Sequence, residues 1–192
     1  MRIPATIAAL LLLAALGAGP AGATERYYTF MGLTGGFGVN QVSYSGWVVD
    51  SQKNLDLSGS YYSAGLVACA VIRQVIGEFT LQYMSNSVSG DGVDASVSHM
   101  YLSIAGKYFY TLSPAFHLTA GLGLYGDAPP ATLEYEGGGG LLALAGVMVN
   151  LTFDLRLMAD VIGRYGSFGL GEGSTKISYG AALSVVYSVG RI

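Results

Sequence analysis

The sequence predicts an all-β fold, an eight-stranded antiparallel up-and-down β-barrel that crosses a membrane. The segment 153–165 carries all four of its charges at even positions and apolar residues or glycine at odd positions. Side chains alternate faces along a strand, so this segment has one apolar and one ionic face. Only 11% of the 192 residues are charged, which is too few for an ordinary soluble surface. The 29 glycines and 14 tyrosines are typical of strands and turns.

The first residues have the features of a secretory signal peptide. Met1 and Arg2 precede an apolar core at residues 3–16, and the small residues Ala21 and Ala23 occupy the −3 and −1 positions of a cleavage site after Ala23. We expect a signal peptide over residues 1–23 and a single barrel domain over residues 24–192. No later stretch approaches the roughly 20 apolar residues that a membrane helix needs. A mature chain that enters a membrane must therefore do so as a closed barrel.

The first four predicted strands are separated by one long loop, one tight turn and a second loop. The predicted strands cover residues 26–38, 59–72, 75–87 and 96–110, the loops cover 39–58 and 88–95, and the turn is 73–74. The first strand is aromatic and then glycine-rich, so its faces cannot be assigned. In the other three, large apolar residues alternate with small or polar ones. The residues predicted to face outward are Tyr62, Leu66, Val75, Phe79, Leu81, Tyr83, Met100, Leu102, Ile104, Tyr108 and Tyr110.

The last four predicted strands alternate with short and long connections in the same order. The strands cover residues 116–126, 140–149, 153–165 and 176–190, the short connections cover 111–115 and 150–152, and the long loops cover 127–139 and 166–175. Phe116, Leu118, Leu122 and Leu124 are predicted to face outward and His117, Thr119, Gly121 and Tyr125 inward. The strand 140–149 is apolar throughout and cannot be assigned. Long outer loops and tight periplasmic turns are the order expected of outer-membrane barrels, and an even strand count places both termini in the periplasm.

A soluble eight-stranded barrel is the alternative fold. It would place its charges outward and its large apolar side chains inside. In this chain the apolar faces carry Phe, Tyr and Leu, whereas the polar faces carry many Gly, Ala, Ser and Thr. A narrow lumen accommodates the small residues and lipid accommodates the large ones. The distribution of side-chain size therefore favours the membrane barrel.

Six charged residues on the predicted inward faces form a candidate lumen charge network. They are Glu78, Lys107, Asp154, Arg156, Asp160 and Arg164. Three acids and three bases can pair, and an unpaired buried charge is costly, so this set favours a plugged lumen. The alternative is a polar conduit for small solutes or ions. Because eight strands enclose a space that side chains can just fill, plugging is the preferred interpretation.

The chain resembles the small eight-stranded outer-membrane barrels, namely the OmpX/Ail, opacity-protein-like and OmpW groups. The resemblance rests on the strand count, loop order and signal peptide, and on the C-terminal segment 178–185. That segment is similar to the signal that the barrel assembly machinery recognises in its clients. The resemblance implies a multi-pass location in the outer membrane, in contact with its lipid, and assembly through Gly180, Leu183 and Val185. The chain departs from the usual terminal aromatic residue, since it ends in Gly190, Arg191 and Ile192.

The residues offer little support for catalysis. His117 and Thr119 lie two apart on one face and resemble the lipid A deacylase pattern only loosely, because that family uses Ser where Thr119 stands. We expect His117 to be a lumen histidine, Cys69 to be a buried thiol, and the protein not to be an enzyme. No metal-ligand spacing appears, so we expect no metal and no cofactor. The weak net charge of -3 and the lack of a basic patch exclude nucleic acid as a partner.

Two functions other than catalysis remain open. The first is a structural or surface-interaction role in which Tyr44, Trp47, Val48 and Val49 of the first long loop contact an extracellular or host ligand. The second is a narrow channel for small apolar molecules or ions, as in the OmpW group. Its basis is the apolar strand 140–149 and four small residues that could line a pocket. These are Gly121, Gly123, Ala143 and Ala145.

Overall fold

The computed structural model describes residues 28–48, 51–128, 137–167 and 174–191, and these form one closed barrel. Its eight strands are β1 (Tyr28–Val48), β2 (Ser51–Ile72), β3 (Val75–Gly90), β4 (Val93–Thr111), β5 (Phe116–Ala128), β6 (Gly139–Asn150), β7 (Leu155–Ser167) and β8 (Ser174–Arg191). Each strand pairs antiparallel with the next, and β1 pairs with β8 to close the barrel. The predicted fold class is therefore confirmed. The predicted signal peptide lies outside the described residues, and none of the described residues forms a helix that could cross a membrane.

The predicted faces of β2, β3, β4 and β5 are confirmed. Tyr62 and Tyr83 are exposed on the outer wall, whereas Tyr61 and Tyr101 are buried inside it. The structure also assigns the two strands that the sequence left open. In β1 the even positions from Phe30 to Val42 face inward, and in β6 the inward residues are Leu142, Leu144 and Met148.

The outer wall carries a belt of exposed apolar side chains. On β5 the belt runs from Phe116 to Leu124, and on β8 it runs from Tyr179 to Val189. These runs of about nine to eleven residues match the length of a tilted strand that crosses the hydrocarbon core of a membrane. Exposed tyrosines mark both borders, as in the aromatic girdles of membrane barrels. They are Tyr62, Tyr83, Tyr165 and Tyr179 at one border and Tyr108, Tyr110 and Tyr187 at the other.

The predicted long loop over residues 39–58 is wrong, because β1 and β2 continue through it as a paired hairpin from Val39↔Ser60 to Val48↔Ser51. The predicted loop over residues 88–95 is also wrong, since β3 and β4 pair up to Gly90↔Val93. Asp91 and Gly92 connect them with positive φ angles of 49° and 78°. Two central residues with positive φ are typical of a type I′ turn, whose twist matches a hairpin.

These hairpins extend beyond the apolar belt, and there the polarity of the two faces is reversed. Gln41, Ser43 and Asp56 are exposed on the outside, as are Ser87, Ser89 and Asp94 on the neighbouring hairpin. Val42, Leu57 and Val88 instead pack together on the inside. A polar outside over an apolar inside is the pattern of a sheet in water. We call this part, formed by residues 40–48, 51–60, 85–90 and 93–98, the outer extension.

Candidate functional site: a layered lumen

Side chains fill the lumen in alternating apolar and polar layers. β3 shows the layers in order from the short-turn end outward. Ile76 belongs to the first apolar layer, Glu78 is ionic, Met84 belongs to the second apolar layer, Asn86 is polar and Val88 belongs to the third. Residues that lie far apart in sequence therefore meet at matching heights.

A central trio of charges lies between the first and second apolar layers. The ammonium nitrogen of Lys107 lies 2.7 Å from Glu78 Oε2 and 2.7 Å from Asp160 Oδ2, and the lysine side chain is only 1% exposed. Thr119 Oγ1 donates a hydrogen bond to the other carboxylate oxygen of Asp160 at 3.3 Å, and Thr80 donates to Glu78 at 3.4 Å. The trio joins β3, β4 and β7 across the lumen, and its net charge is negative.

Arg164 lies one level further out and is held by tyrosines. Its guanidinium carbon lies 4.9 Å from the ring centre of Tyr61 and 4.7 Å from that of Tyr101. Its Nε donates a hydrogen bond to Tyr101 Oη at 3.1 Å, and Tyr101 stacks on Tyr125 at 5.7 Å between centroids. Cation–π contacts of this kind stabilise a desolvated guanidinium.

The Tyr61 ring on β2 lies over the two neighbouring strands, where Gly38 of β1 is its register partner and Gly180 of β8 pairs with Gly38. A Cβ at Gly180 or Gly38 would overlap its ring or hydroxyl. A Cβ would also overlap the backbone carbonyl of Tyr179 at Gly38 and that of Phe37 at Gly180, so both the ring and the backbone require glycine at these two positions.

A second polar cluster, the outer polar cluster, lies beneath the third apolar layer. His99 Nε2 lies 3.2 Å from Asp127 Oδ1, and Lys176 Nζ lies 3.7 Å from Asp127 Oδ2. Asn40 donates to Asn86 at 2.7 Å, and the Asn86 amide contacts His99 Nδ1 at 3.3 Å. This cluster does not follow from the predicted strand bounds. Asp127 falls in the predicted loop 127–139, whereas β5 continues to Ala128. The alternation of β5, extended by two residues, would have placed Asp127 on the inward face.

The six residues predicted to form one charge network do not lie in one place. The structure brings Glu78, Lys107 and Asp160 together, but Arg164 lies among tyrosines and Arg156 lies near the short-turn end over Phe30 at 3.9 Å. Asp154 must be removed from the lumen set. It lies in the β6–β7 turn before β7 begins at Leu155, where its backbone amide donates a hydrogen bond to the Thr152 hydroxyl at 3.3 Å.

The candidate loop residues Tyr44, Trp47 and Val48 lie in the outer part of β1, and Val49 lies outside the described residues. Tyr44, Trp47 and Val48 therefore belong to one strand of a hairpin and not to an irregular loop. Tyr44 pairs in register with Leu55 on β2 and with Ser174 on β8.

His117 and Thr119 do not form the nucleophile–base pair that their spacing suggested. His117 Nδ1 lies 3.0 Å from Thr111 Oγ1, and its Nε2 lies 2.9 Å from the Asn150 amide nitrogen. Both ring nitrogens are thus occupied, while the Thr119 hydroxyl is directed to Asp160. Catalysis would need that hydroxyl to donate to the histidine.

The described lumen contains two main cavities. The central one, next to the central trio, measures about 20 Å³, which is enough for only one or two water molecules. The other measures about 240 Å³ and lies at the short-turn end, and we call it the inner vestibule. Gly121 and Gly123 do face the lumen, but a Cβ on either would overlap Lys107 or Ala105. Ala143 and Ala145 face outward, so the predicted four-residue pocket does not exist.

Comparison with known proteins agrees with this geometry at the level of the fold. No protein-family model and no curated protein matches the chain. Among solved structures, Neisserial surface protein A superposes with a TM-score of 0.51 at 18% identity, over 81% of this chain and 96% of that one. A de novo designed transmembrane β-barrel gives a TM-score of 0.35 at 17% identity, over 84% of this chain and 95% of that one. Ail of Yersinia pestis gives 0.26 at 13%, over 82% and 98%.

At 18% identity, the likeness to Neisserial surface protein A shows the fold and nothing of the activity. The eight-stranded closure, the apolar belt and this superposition agree: the chain is a transmembrane β-barrel of the outer-membrane type.

Proposed function

We propose that this protein is a non-conducting outer-membrane barrel that acts through the outer extension. The observation that carries the proposal is the reversal of polarity along β1 to β4. Below Val39 the outer wall is apolar and suited to lipid, whereas above it the outer wall is polar and Val42, Leu57 and Val88 pack on the inside beyond the outer polar cluster. The chain thus builds a structured sheet into water, at about 3.3 Å per residue, well past the length that spanning requires.

The filled lumen supports an external site of action. Three apolar layers alternate with the central trio, Arg164 and the outer polar cluster, and the central cavity holds little more than water. A conduit for apolar molecules would need a continuous path past buried ion pairs. Removing one partner of such a pair costs several kcal/mol, so the layers oppose transient opening.

The outer extension presents features suited to contact with a partner. Its outer face is rich in hydroxyl groups and carries Asp56 and Asp94, with Ser43 donating to Asp56 at 2.8 Å. The outer part of β1 adds Tyr44, Trp47 and Val48, the predicted contact residue Val49 lies outside the described residues, and aromatic residues are frequent binding anchors. We infer that an extracellular or host ligand binds the hairpin of β1 and β2.

Export and assembly belong to the same proposal. A signal peptide over residues 1–23 would deliver the chain to the periplasm, and the assembly machinery would recognise β8. Leu183 and Val185 are exposed on the lipid-facing side of β8, while Gly180 faces Tyr61. Alternating apolar side chains on an outward face are accessible to a partner before the barrel closes.

The test is adhesion by whole cells that display the protein. Cells with the wild-type chain are expected to bind matrix-coated surfaces or epithelial monolayers better than cells without it, and deletion of residues 45–55 should abolish the difference. A matched control is Asp91→Asn, which keeps a type I′ turn with Gly92 on the neighbouring hairpin and keeps a side-chain oxygen for the Asp56 amide. Adhesion that survives the 45–55 deletion, with the barrel still folded, would reject the proposed site.

A further inference from the structure

The described lumen holds one cation more than it holds carboxylates. The cations are Lys107, Arg156, Arg164 and Lys176, and the carboxylates are Glu78, Asp127 and Asp160. Lys107 and Lys176 have acidic neighbours, and Arg164 is held by two tyrosine rings. Arg156 has no carboxylate within ion-pair distance among the described residues. The surplus charge therefore lies at Arg156, at the short-turn end.

The contacts of Arg156 are with neutral groups. Its guanidinium carbon lies 3.9 Å above the Phe30 ring, and one terminal nitrogen lies 4.0 Å from the Met148 sulfur. Its Nε is buried with no hydrogen-bond partner among the described protein atoms. A guanidinium carries five N–H donors in a planar fork that matches a carboxylate, and these contacts use few of them.

The half-buried guanidinium borders the inner vestibule, which has an apolar wall and a polar rim. Val71, Phe109 and Met148 form part of the wall, His117 and Asn150 lie on the rim with Arg156, and the exposed Arg73 of the β2–β3 turn also borders the cavity. The volume of about 240 Å³ is about twelve times that of the central cavity and lies below the roughly 300–1,000 Å³ typical of pockets for drug-sized ligands. A short molecule, apolar along its length and anionic at one end, matches this space.

We propose that the inner vestibule binds a small aliphatic monocarboxylate, whose carboxylate pairs with Arg156 and whose stem lies against Phe109 and Met148. The filled layers above it make the vestibule a blind pocket that opens toward the short-turn end. The ligand enters and leaves on the same side. This binding site is independent of the outer extension and does not rest on the function proposed for it.

Methionine methyl NMR offers a direct test, because the described methionines lie in different environments. Met148 lines the vestibule, Met84 lies in the second apolar layer, and Met31 and Met100 are exposed on the outer wall. The barrel, labelled at methionine methyl groups in a neutral maltoside detergent, is titrated with hexanoate, hexanol and hexylammonium. Hexanoate should shift the Met148 signal saturably while the Met84 signal stays fixed.

The three ligands share one six-carbon chain and differ in head group. They therefore separate recognition of the carboxylate by Arg156 from partition of the alkyl chain into the detergent micelle. Hexanol should bind at least about tenfold more weakly than hexanoate, because it lacks the charge-assisted pair. Hexylammonium should leave Met148 unshifted, and shifts confined to Met31 and Met100 would show partition into the micelle only. Arg156→Gln should weaken hexanoate binding by a similar factor, and Arg156→Lys should retain part of it.

Two results would overturn the proposal: no saturable shift of Met148 with hexanoate, or equal affinity for hexanoate and hexanol. Unchanged affinity in Arg156→Gln would also overturn it. Should Arg156→Gln fail to fold, the ligand comparison on the wild-type barrel still decides the question. The Met148→Leu variant assigns the Met148 signal.

Discussion

Replacement of Lys107 by methionine is the perturbation that tests the layered lumen most sharply. Methionine has a similar length and is apolar, so Lys107→Met removes the charge with little change in volume. It leaves Glu78 and Asp160 facing each other in a space that is almost closed to water. Both carboxylates lie 2.7 Å from the lysine nitrogen, so both lose their ionic partner at once.

The expected magnitude follows from the cost of leaving a buried charge without its partner. That cost is typically about 3–5 kcal/mol, and here two acids share it. We therefore expect Lys107→Met to lower the free energy of unfolding by about 3–5 kcal/mol. Replacing the whole trio by neutral groups, in Glu78→Gln, Lys107→Met and Asp160→Asn together, should recover most of that loss, since a buried ion group replaced by neutral residues is often nearly neutral in stability.

The assay is equilibrium unfolding in urea, with the folded fraction read from the mobility difference between folded and unfolded barrel on unheated gels. Asp56→Asn serves as the control, because it removes a charge from the exposed face of the outer extension and should change stability by no more than about 0.5 kcal/mol. A loss below about 1 kcal/mol for Lys107→Met, or a triple variant no more stable than the single one, would refute the assigned role of the trio.

Three further predictions use the same unfolding assay. Arg164→Met should cost about 2–4 kcal/mol, because it removes the hydrogen bond to Tyr101 and two cation–π contacts; no loss would contradict the assignment. Gly180→Ala should destabilise the barrel by about 1–3 kcal/mol through overlap with Tyr61 and with the Phe37 carbonyl, and Tyr61→Ala should relieve the part that is due to the ring, so fully additive effects would contradict the contact with Tyr61. Asp91→Val should cost about 1–3 kcal/mol more than Asp91→Gly, because the φ of 49° disfavours a β-branched residue; equal stability of the two variants would count against the turn geometry.

Much of the barrel could be predicted from sequence because lipid and lumen impose opposite requirements on alternate residues. The faces of β2 to β5 follow from the positions of Tyr, Leu and Phe, and the structure agrees. The faces of β1 and β6 could not be predicted in this way. Glycines interrupt the alternation in β1, and apolar residues occupy both faces of β6, so neither strand shows a polar and an apolar face in sequence. Leu142 and Leu144 face the lumen although they look identical to the outward Leu141 in sequence.

The outer extension was misassigned for a physical reason. The rule that the large apolar face points outward holds only within the membrane, and above it the solvent demands the reverse. Residues 39–58 do not show the continuous outward face of large apolar side chains that a membrane strand has. By the rule for membrane strands, this segment is therefore predicted to form an irregular loop. The correct signal was present in Val42 and Leu57, which alternate with Gln41, Ser43 and Asp56.

Partners inside the lumen could not be predicted from sequence in the same way. Lys107 and Asp160 lie 53 residues apart, and their contact depends on the register and shear of the closed barrel. Charge balance alone grouped Asp154 with them, although it lies in a turn, and missed Asp127 and Lys176.

Electrical recording from the barrel in a planar lipid bilayer tests the central claim most directly. The layered lumen predicts that wild-type protein, inserted and shown to be folded, gives no steady conductance above that of the bare membrane. The central cavity of about 20 Å³ leaves no continuous water path for ions. A steady wild-type conductance that changes in Asp160→Asn would contradict the account, because it would place the conducting path through the central trio.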